Sequence, residues 1–250
     1  MDNNNNYDWS QQSVFVKQDQ GVVAKKFFAS VFLWMFVALS ISAAVAFYLS
    51  ANTELLATFF NEVTGKPNIL GWIVFLSPLG LSMLMGAGLS RFSYGAMIGL
   101  FVLFAAILGI SLSTILLAYT SSSVMSCFIG AAGIFGIMAF LGYTTDVDLT
   151  KFGPILMVGV VGLFIAGIAN AFIQSESFSL VMAFIGIAVF TALTAYDVQK
   201  LKRIGAGIEE SGAQIQDADT KKLALMGALS LYLDFINIFI FLLRIFGGRK

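Results

Sequence analysis

The chain has 250 residues, of which 58% are hydrophobic and only 11% are charged. Because a soluble domain usually has about a quarter charged residues, this composition excludes an ordinary soluble fold and indicates a membrane protein. The 14 basic and 14 acidic residues cancel, which argues against a nucleic-acid partner. With no histidine and a single cysteine, Cys127, the sequence cannot form an internal disulfide and argues against zinc, haem and Cys–His catalytic sites.

The chain begins with a polar segment and continues with seven apolar runs. Residues 1–26 include an Asn- and Gln-rich leader without an apolar stripe, which predicts a disordered tail. A membrane-spanning helix needs about 20 predominantly apolar residues, and each run approaches that length. A charged segment, Lys200–Lys222, separates the last two runs and is predicted to be a cytoplasmic loop. The runs are Phe27–Ser50, Ile69–Leu89, Tyr94–Leu117, Val124–Leu141, Pro154–Phe172, Phe178–Tyr196 and Leu223–Leu243.

These features predict an all-α integral membrane protein, in which a tail (residues 1–26) precedes a seven-helix membrane domain (residues 27–250). Basic residues near the helix ends favour a cytoplasmic N-terminus, since this orientation places ten of the 14 Lys and Arg residues on the cytoplasmic side. Three of the other four, Arg244, Arg249 and Lys250, lie at the C-terminus. Either the C-terminus lies outside, or the last segment enters the membrane and returns; we favour seven spans.

Small residues are expected where helices touch, because helix association in lipid depends on close packing. Gly95 and Gly99 form a Gly-x-x-x-Gly pattern in the third run, and Gly130, Gly133 and Gly136 recur through the fourth. The pattern predicts helix contacts at these positions. It is typical of any tight bundle, so it indicates packing and no particular activity.

Asp234 is the strongest candidate for a functional residue. It lies about 12 residues past Lys222, or roughly 18 Å along a helix, which places it near the middle of the bilayer. A charge at that depth costs at least about 2.5 kcal/mol, so such residues usually have a function. Asn237 follows on the same helical face. The alternative is a protonated aspartate that makes one interhelical hydrogen bond for packing.

Asp197 is the second candidate, at the end of the sixth run. Lys200 follows within one turn, so a solvated acid at a helix end, or one paired with Lys200, is the alternative to a functional acid. Because one loop joins the sixth and seventh runs, the two helices are expected to be neighbours, and Asp197 and Asp234 then approach from the same side. The two acids meet only if the sixth helix continues past Asp197 or if a wet vestibule reaches Asp234.

Other polar residues are candidates for supporting roles. Arg91 follows the second run and either neutralises a carboxylate or anchors the helix at the membrane surface. Tyr196 and Tyr232 precede the two aspartates by one and two residues, and they either orient the acids or pack as aromatics. Asp146 and Asp148 lie in a turn, where we expect solvated charges rather than ligands of a cation.

The sequence around both aspartates resembles the Bax inhibitor-1 family. Residues 228–239, ALSLYLDFINIF, resemble the final helix of that family, and residues 194–200, TAYDVQK, resemble the end of its sixth helix. The resemblance implies a bacterial inner (plasma) membrane protein of seven helices with a central last helix. It also implies that Asp197 and Asp234 control a pH-sensitive calcium leak, with Arg91 as a basic residue that latches onto the pair. Ser77 and Pro78 stand where some members have an acid in the second helix.

Physical chemistry supplies a mechanism for such a pair. Two carboxylates close together in a low dielectric cannot both ionise easily, so they are expected to share one proton near neutrality. Calcium prefers several oxygen ligands, and carboxylates bind it best when deprotonated. Two aspartates are too few for a tight site, so backbone carbonyls, Asn237 or water would complete it. No cofactor is expected, and the resemblance implies calcium as the transported ion.

Two other classes of function compete with the leak. An intramembrane aspartyl protease would also use two aspartates, but it needs Gly-x-Gly-Asp at the second acid, where this chain has Leu231-Tyr232-Leu233-Asp234. We therefore expect no enzyme activity. The resemblance also suggests a regulator that binds and restrains a membrane quality-control protease. The polar tail, with Tyr7, Trp9 and Phe15, is either presented to that membrane protein partner or is a solvated leader, and we favour the leader.

Overall fold

The computed structural model describes residues 21–61, 67–213 and 217–250. Within these ranges, seven helices are long and apolar enough to cross a membrane, which confirms the predicted all-α membrane fold. A short helix, Thr53–Ala57, and a 3-10 turn, Leu149–Phe152, lie between them. The seven helices are α1 (Val22–Ala51), α2 (Ile69–Ala87), α3 (Tyr94–Ala118), α4 (Ser121–Thr144), α5 (Gly153–Ile173), α6 (Glu176–Glu210) and α7 (Ala218–Phe246).

The predicted boundaries of two polar segments need correction. Helix α1 begins at Val22, so residues 22–26 are helical, and the remainder of the predicted tail lies outside the described residues. Helix α6 continues to Glu210, so most of the predicted loop Lys200–Lys222 is helix and only residues 211–217 connect α6 to α7. Hydropathy marked where the apolar surface ends, whereas Lys and Arg are good helix formers and prolong the helix beyond it.

Helix α6 ends in a glycine-dependent cap. Gly212 has a φ of 70°, a left-handed conformation that favours glycine. Its N–H donates to the carbonyl of Glu209 (3.1 Å), and the N–H of Ala213 donates to that of Ile208 (3.2 Å). This pair of bonds is the Schellman arrangement, which satisfies the last carbonyls of a helix. The stop signal therefore lies about four turns beyond Tyr196, where the apolar run ends.

Helix α7 is the central helix of the bundle, as predicted. Sixteen of its 29 residues are buried, whereas α5 has no buried residue. Helices α1, α3, α4 and α6 all contact α7. The ring of Phe235 packs edge-on against Phe128 and Phe135 of α4, with centroids 5.2 and 5.8 Å away. These contacts fix the position of α7, and so of its polar side chains, against α1, α3, α4 and α6.

The C-terminus lies at the opposite end of the bundle from the α6–α7 connection, because α7 crosses once without turning back. The last residues pair with the segment that joins α3 to α4. Tyr119 and Arg249 form an antiparallel bridge, and the N–H of Lys250 donates to the carbonyl of Ala118 (3.0 Å). The Arg249 guanidinium also pairs with Glu176 at 2.9 Å. The described helices thus favour seven spans over a re-entrant last segment.

The glycine prediction was wrong at most of its positions. A Cβ added at Gly95, Gly99, Gly133 or Gly136 would meet nothing within 4 Å in the described structure. A contact that does require glycine lies at Gly142 of α4, where an added Cβ would lie 2.3 Å from the carbonyl oxygen of Ala195 in α6. Spacing alone did not reveal which glycines face another helix, because the lipid-facing side of α4 is also rich in small residues.

Candidate functional site

The site lies where α6 and α7 pack side by side in opposite directions. Three contacts define their register. An added Cβ at Gly227 would meet Leu201 at 2.4 Å, and one at Gly186 would meet Phe241 at 2.3 Å. Between these levels, Ser230 of α7 lies beside the Asp197 carboxyl group of α6. Each step towards the end of α6 is therefore matched by a step back along α7.

The structure brings Asp197 and Asp234 together. Their carboxyl groups lie close enough to repel each other when both are charged. Asp234 is only 4% exposed, and its Oδ2 atom has no hydrogen-bond partner among the described residues. Asp197 is partly buried, and Lys200 lies close enough to interact with its charge. The sequence places Asp197 at the end of an apolar run and Asp234 near the middle of the bilayer. The two residues nevertheless meet, because α6 continues for 13 residues past Asp197.

Three of the four predicted supporting residues form no hydrogen bond or ion pair with either aspartate in the described structure. Arg91 is exposed in the turn after α2, and it forms no ion pair with either aspartate in the described structure. Asn237 donates its side-chain N–H to the carbonyl of Leu233 in its own helix (2.8 Å). Tyr196 packs its phenol ring against Gly153 at the start of α5.

Tyr232 is fully buried and stabilises a junction of three helices. The Ser42 hydroxyl of α1 donates to the carbonyl of Ala105 in α3 (2.7 Å), so the Tyr232 hydroxyl donates to Ser42 (2.5 Å). Two residues along a helix correspond to a rotation of about 200°, so Tyr232 faces away from Asp234. It holds α7 against α1 and α3 and does not orient the aspartates.

Lys222 joins the end of α2 to α7, a contact that the sequence analysis missed. Its side chain is only 9% exposed, and its ammonium donates to the carbonyl of Leu89 (2.9 Å) and pairs with Asp219 (2.7 Å). The resemblance implies instead that the basic residue after α2, Arg91, latches onto the aspartate pair. The sequence carries one signal of this contact, since Lys222 directly precedes the last apolar run. Its place in the predicted loop Lys200–Lys222 indicated a solvated side chain instead.

The turn between α4 and α5 is bonded to α6, and its charges are solvated as predicted: the side chains of Asp148 and Arg203 are 42% and 50% exposed. Asp148 pairs with Arg203 (2.6 Å), and Gln199 accepts from the N–H of Leu149 (2.8 Å) and donates to the carbonyl of Val147 (2.7 Å). Hydrogen bonds from Thr150 and Arg203 lower the pKa of Asp148 to about 2. The turn therefore contacts α6 within two helical turns of Asp197.

The pair has too few ligands to form a conventional metal site. No group of three or more His, Cys, Asp or Glu side chains occurs within residues 21–61, 67–213 and 217–250. Any cation held by Asp197 and Asp234 would therefore take further oxygens from hydroxyl groups, backbone carbonyls or water. Thr191 Oγ1, like Asp234 Oδ2, is buried without a hydrogen-bond partner in the described structure.

Sequence comparisons give the relationship of the chain to known proteins. The model of a family described as inhibitor of apoptosis-promoting Bax1 matches residues 24–250. The inner membrane protein YbhL of Escherichia coli K12 is 38% identical over 224 residues, which cover 90% of this chain and 92% of YbhL. An uncharacterized protein of Deinococcus radiodurans is 36% identical over 240 residues (96% and 97%), and one of Borreliella burgdorferi is 35% identical over 230 residues (92% and 94%).

Proposed function

Because the chain belongs to the Bax inhibitor-1 family, we propose that it is a pH-sensitive calcium leak pathway gated by Asp197 and Asp234. The observation that supports this most directly is Asp234: a carboxyl group at membrane depth, beside a second carboxyl group, with one oxygen that no described residue satisfies. Polar groups at that depth are costly and usually mark ion pathways. The name of YbhL supports a bacterial inner membrane. The excess of basic residues on the side of the membrane where the N-terminus lies supports a cytoplasmic N-terminus.

The pair can act as a gate through its charge. When the two carboxyl groups share a proton, they can hydrogen bond to each other and hold α6 against α7. When they lose that proton, their repulsion in a low dielectric is relieved by a cation, and calcium favours carboxylate oxygens. Cation occupancy and proton occupancy therefore compete at the same atoms, so calcium movement depends on pH. The small number of acidic ligands suits conduction, because an ion must also leave the site.

The test is calcium flux into proteoliposomes between about pH 5 and pH 8, for wild type, Asp197→Asn and Asp234→Asn. Both substitutions preserve size and remove the titrating group. We expect wild-type flux to change several-fold across this range, and each variant to flatten that dependence. Asp146→Asn is the matched control, since Asp146 is an exposed acid of the α4–α5 turn and should leave the profile unchanged.

Two results would reject the gate. Wild-type vesicles without calcium flux would exclude a leak, and aspartate variants with the wild-type pH profile would show that the pair serves packing. We propose no enzyme activity and no cofactor, since this pair lacks the glycine pattern of aspartyl proteases. The alternative of a protease regulator depended on residues 1–20, which lie outside the described residues, and no structural observation favours it.

A further inference from the structure

We infer that the Thr191 hydroxyl and the Asp234 carboxylate form a second cation-binding subsite on the calcium path, deeper in the membrane than Asp197. This inference rests on the proposed leak. Thr191 precedes Asp197 by six residues on α6, which corresponds to about 9 Å along the helix. The subsite would therefore lengthen the polar part of the α6–α7 interface towards the middle of the bundle.

The first observation is the behaviour of the Thr191 hydroxyl. Serine and threonine hydroxyls inside helices commonly bond a carbonyl of the preceding turn. Thr194, one turn further along α6, follows this rule and donates to the carbonyl of Phe190 (2.8 Å). The Thr191 hydroxyl is buried and makes no such bond with any described residue. Its oxygen and its proton both remain available for a ligand.

The second observation is that Thr191 and Asp234 lie at nearly the same depth. Gly227 meets Leu201, and Gly186 meets Phe241, so the antiparallel register places Asp234 opposite residues 193–194 of α6. Thr191 is therefore only two to three residues deeper, or about 4 Å along the axis. These two residues supply both of the buried side-chain oxygens that lack a partner in the described structure.

The third observation is that both side chains face the junction of α4, α6 and α7. Thr191 lies between Phe190, whose ring packs on Phe241 of α7, and Ala195, which packs on Gly142 of α4. Asp234 directly precedes Phe235, whose ring packs against α4. The two free oxygens therefore belong to one interior region, away from the lipid-facing surface.

The chemistry of these oxygens indicates a cation. Buried polar atoms that lack a protein partner are usually satisfied by water or an ion, and lipid cannot satisfy them. Calcium binds about six to eight oxygens, more than the two carboxyl groups can supply. A hydroxyl adds an oxygen without adding a charge, so it would strengthen coordination while leaving the proton-sensitive charge on the aspartates. Thr191 would thus influence calcium affinity, whereas the two acids set the response to pH.

The test compares Thr191→Val, which removes the hydroxyl at constant shape, with Thr191→Ser, which keeps it. Thr194→Val is the matched control, because Thr194 is buried on the same helix and its hydroxyl is already bonded to Phe190. Flux is measured in proteoliposomes over a series of calcium concentrations. We expect Thr191→Val to raise the half-saturating calcium concentration several-fold while keeping the pH dependence that the aspartate variants lose. Thr191→Ser and Thr194→Val should behave like wild type.

A second measurement separates this subsite from the leak itself. Calcium that binds the folded protein raises its thermal stability, so the purified full chain in detergent is melted across the same calcium series. We expect the calcium-dependent rise in Tm to be smaller for Thr191→Val than for Thr191→Ser. If wild type shows this rise without flux and Thr191→Val reduces it, the leak fails and the subsite stands. If the aspartate variants flatten the pH profile but Thr191→Val matches wild type in both assays, the leak stands and Thr191 binds only water.

Two further results would also overturn the subsite. Equal losses in Thr191→Val and Thr191→Ser would show that shape matters there and the oxygen does not. Absence of both flux and a calcium-dependent Tm in wild type would reject the subsite and the leak together.

Discussion

Gly142→Ala is the substitution that should most directly disturb the position of α6. The added Cβ would lie 2.3 Å from the carbonyl oxygen of Ala195, 2.8 Å from its Cα and 2.9 Å from its carbonyl carbon. All three atoms are backbone, so no side-chain rotation can relieve the overlap. Ordinary contact begins near 3.4 Å, so α4 and α6 must separate by about 1 Å at this level.

The cost of that separation can be isolated with a control on the same helix. Overpacking a helix interface costs about 1–3 kcal/mol. Replacing glycine by alanine also stabilises a helix by up to about 1 kcal/mol, which would hide part of the loss. Gly136→Ala gains the same helix propensity, but its Cβ meets nothing within 4 Å. The difference between Gly142→Ala and Gly136→Ala therefore reports the packing cost alone.

Thermal unfolding of both purified variants in detergent measures this difference. For a chain of this size, 1 kcal/mol corresponds to about 2–4 °C, so Gly142→Ala should melt about 2–12 °C below Gly136→Ala. Ala195 precedes Asp197 by two residues, so the same separation should alter the pH profile of calcium flux in Gly142→Ala only. Equal melting temperatures would refute the reasoning, because they would show that α4 and α6 do not touch at Gly142.

Two further substitutions test the contacts around the site. Asp148→Asn removes the ion pair with Arg203. In the folded protein the pKa of Asp148 is lowered to about 2, from about 3.8 in the unfolded chain. The carboxylate therefore stabilises the fold above pH 3.8, and this stabilisation is lost as the pH falls towards 2. We therefore expect the flux of this variant to keep the wild-type midpoint between about pH 5 and pH 8, and a shifted midpoint would contradict us. Lys222→Met keeps the aliphatic stem but loses the charged hydrogen bond to Leu89, which is worth about 1.5–3 kcal/mol. We expect faster amide hydrogen exchange at the end of α2 in this variant, and unchanged protection would show that Lys222 does not hold that end.

The sequence predicted the number of helices because hydropathy reports which surface meets lipid. It also predicted the starts of α2 at Ile69 and of α3 at Tyr94, but not the end of α6. In α6 the apolar surface stops at Tyr196, but backbone hydrogen bonding continues to the cap at Gly212. This extension has a functional consequence, since it places Asp197 inside a helix beside Asp234. A charged helix end and a charged loop have the same composition, so only the glycine cap could have distinguished them.

The two aspartates could be predicted because a carboxyl group at membrane depth is costly in any fold. Their surroundings could not be predicted, because contacts depend on helix rotation as well as on distance along the chain. Tyr232 lies two residues from Asp234 and faces the opposite side. Ser230 precedes Asp234 by four residues, shares its face and contacts Asp197. The rule that residues four apart are neighbours would have identified Ser230.

Both helices that carry the aspartates are held by contacts with the rest of the bundle. Helix α7 is held on one side by the hydrogen bond from Tyr232 to Ser42, on another by Phe235 against α4, and at its end by the pairing of Arg249 with Tyr119. Helix α6 is held by the bonds of Gln199 and Arg203 to the α4–α5 turn and by the close contact of Ala195 with Gly142. A change of charge at Asp197 and Asp234 therefore acts against restraints on both helices. The close contact at Gly142 is then the point on α6 where a small added group should have the largest effect on the pair.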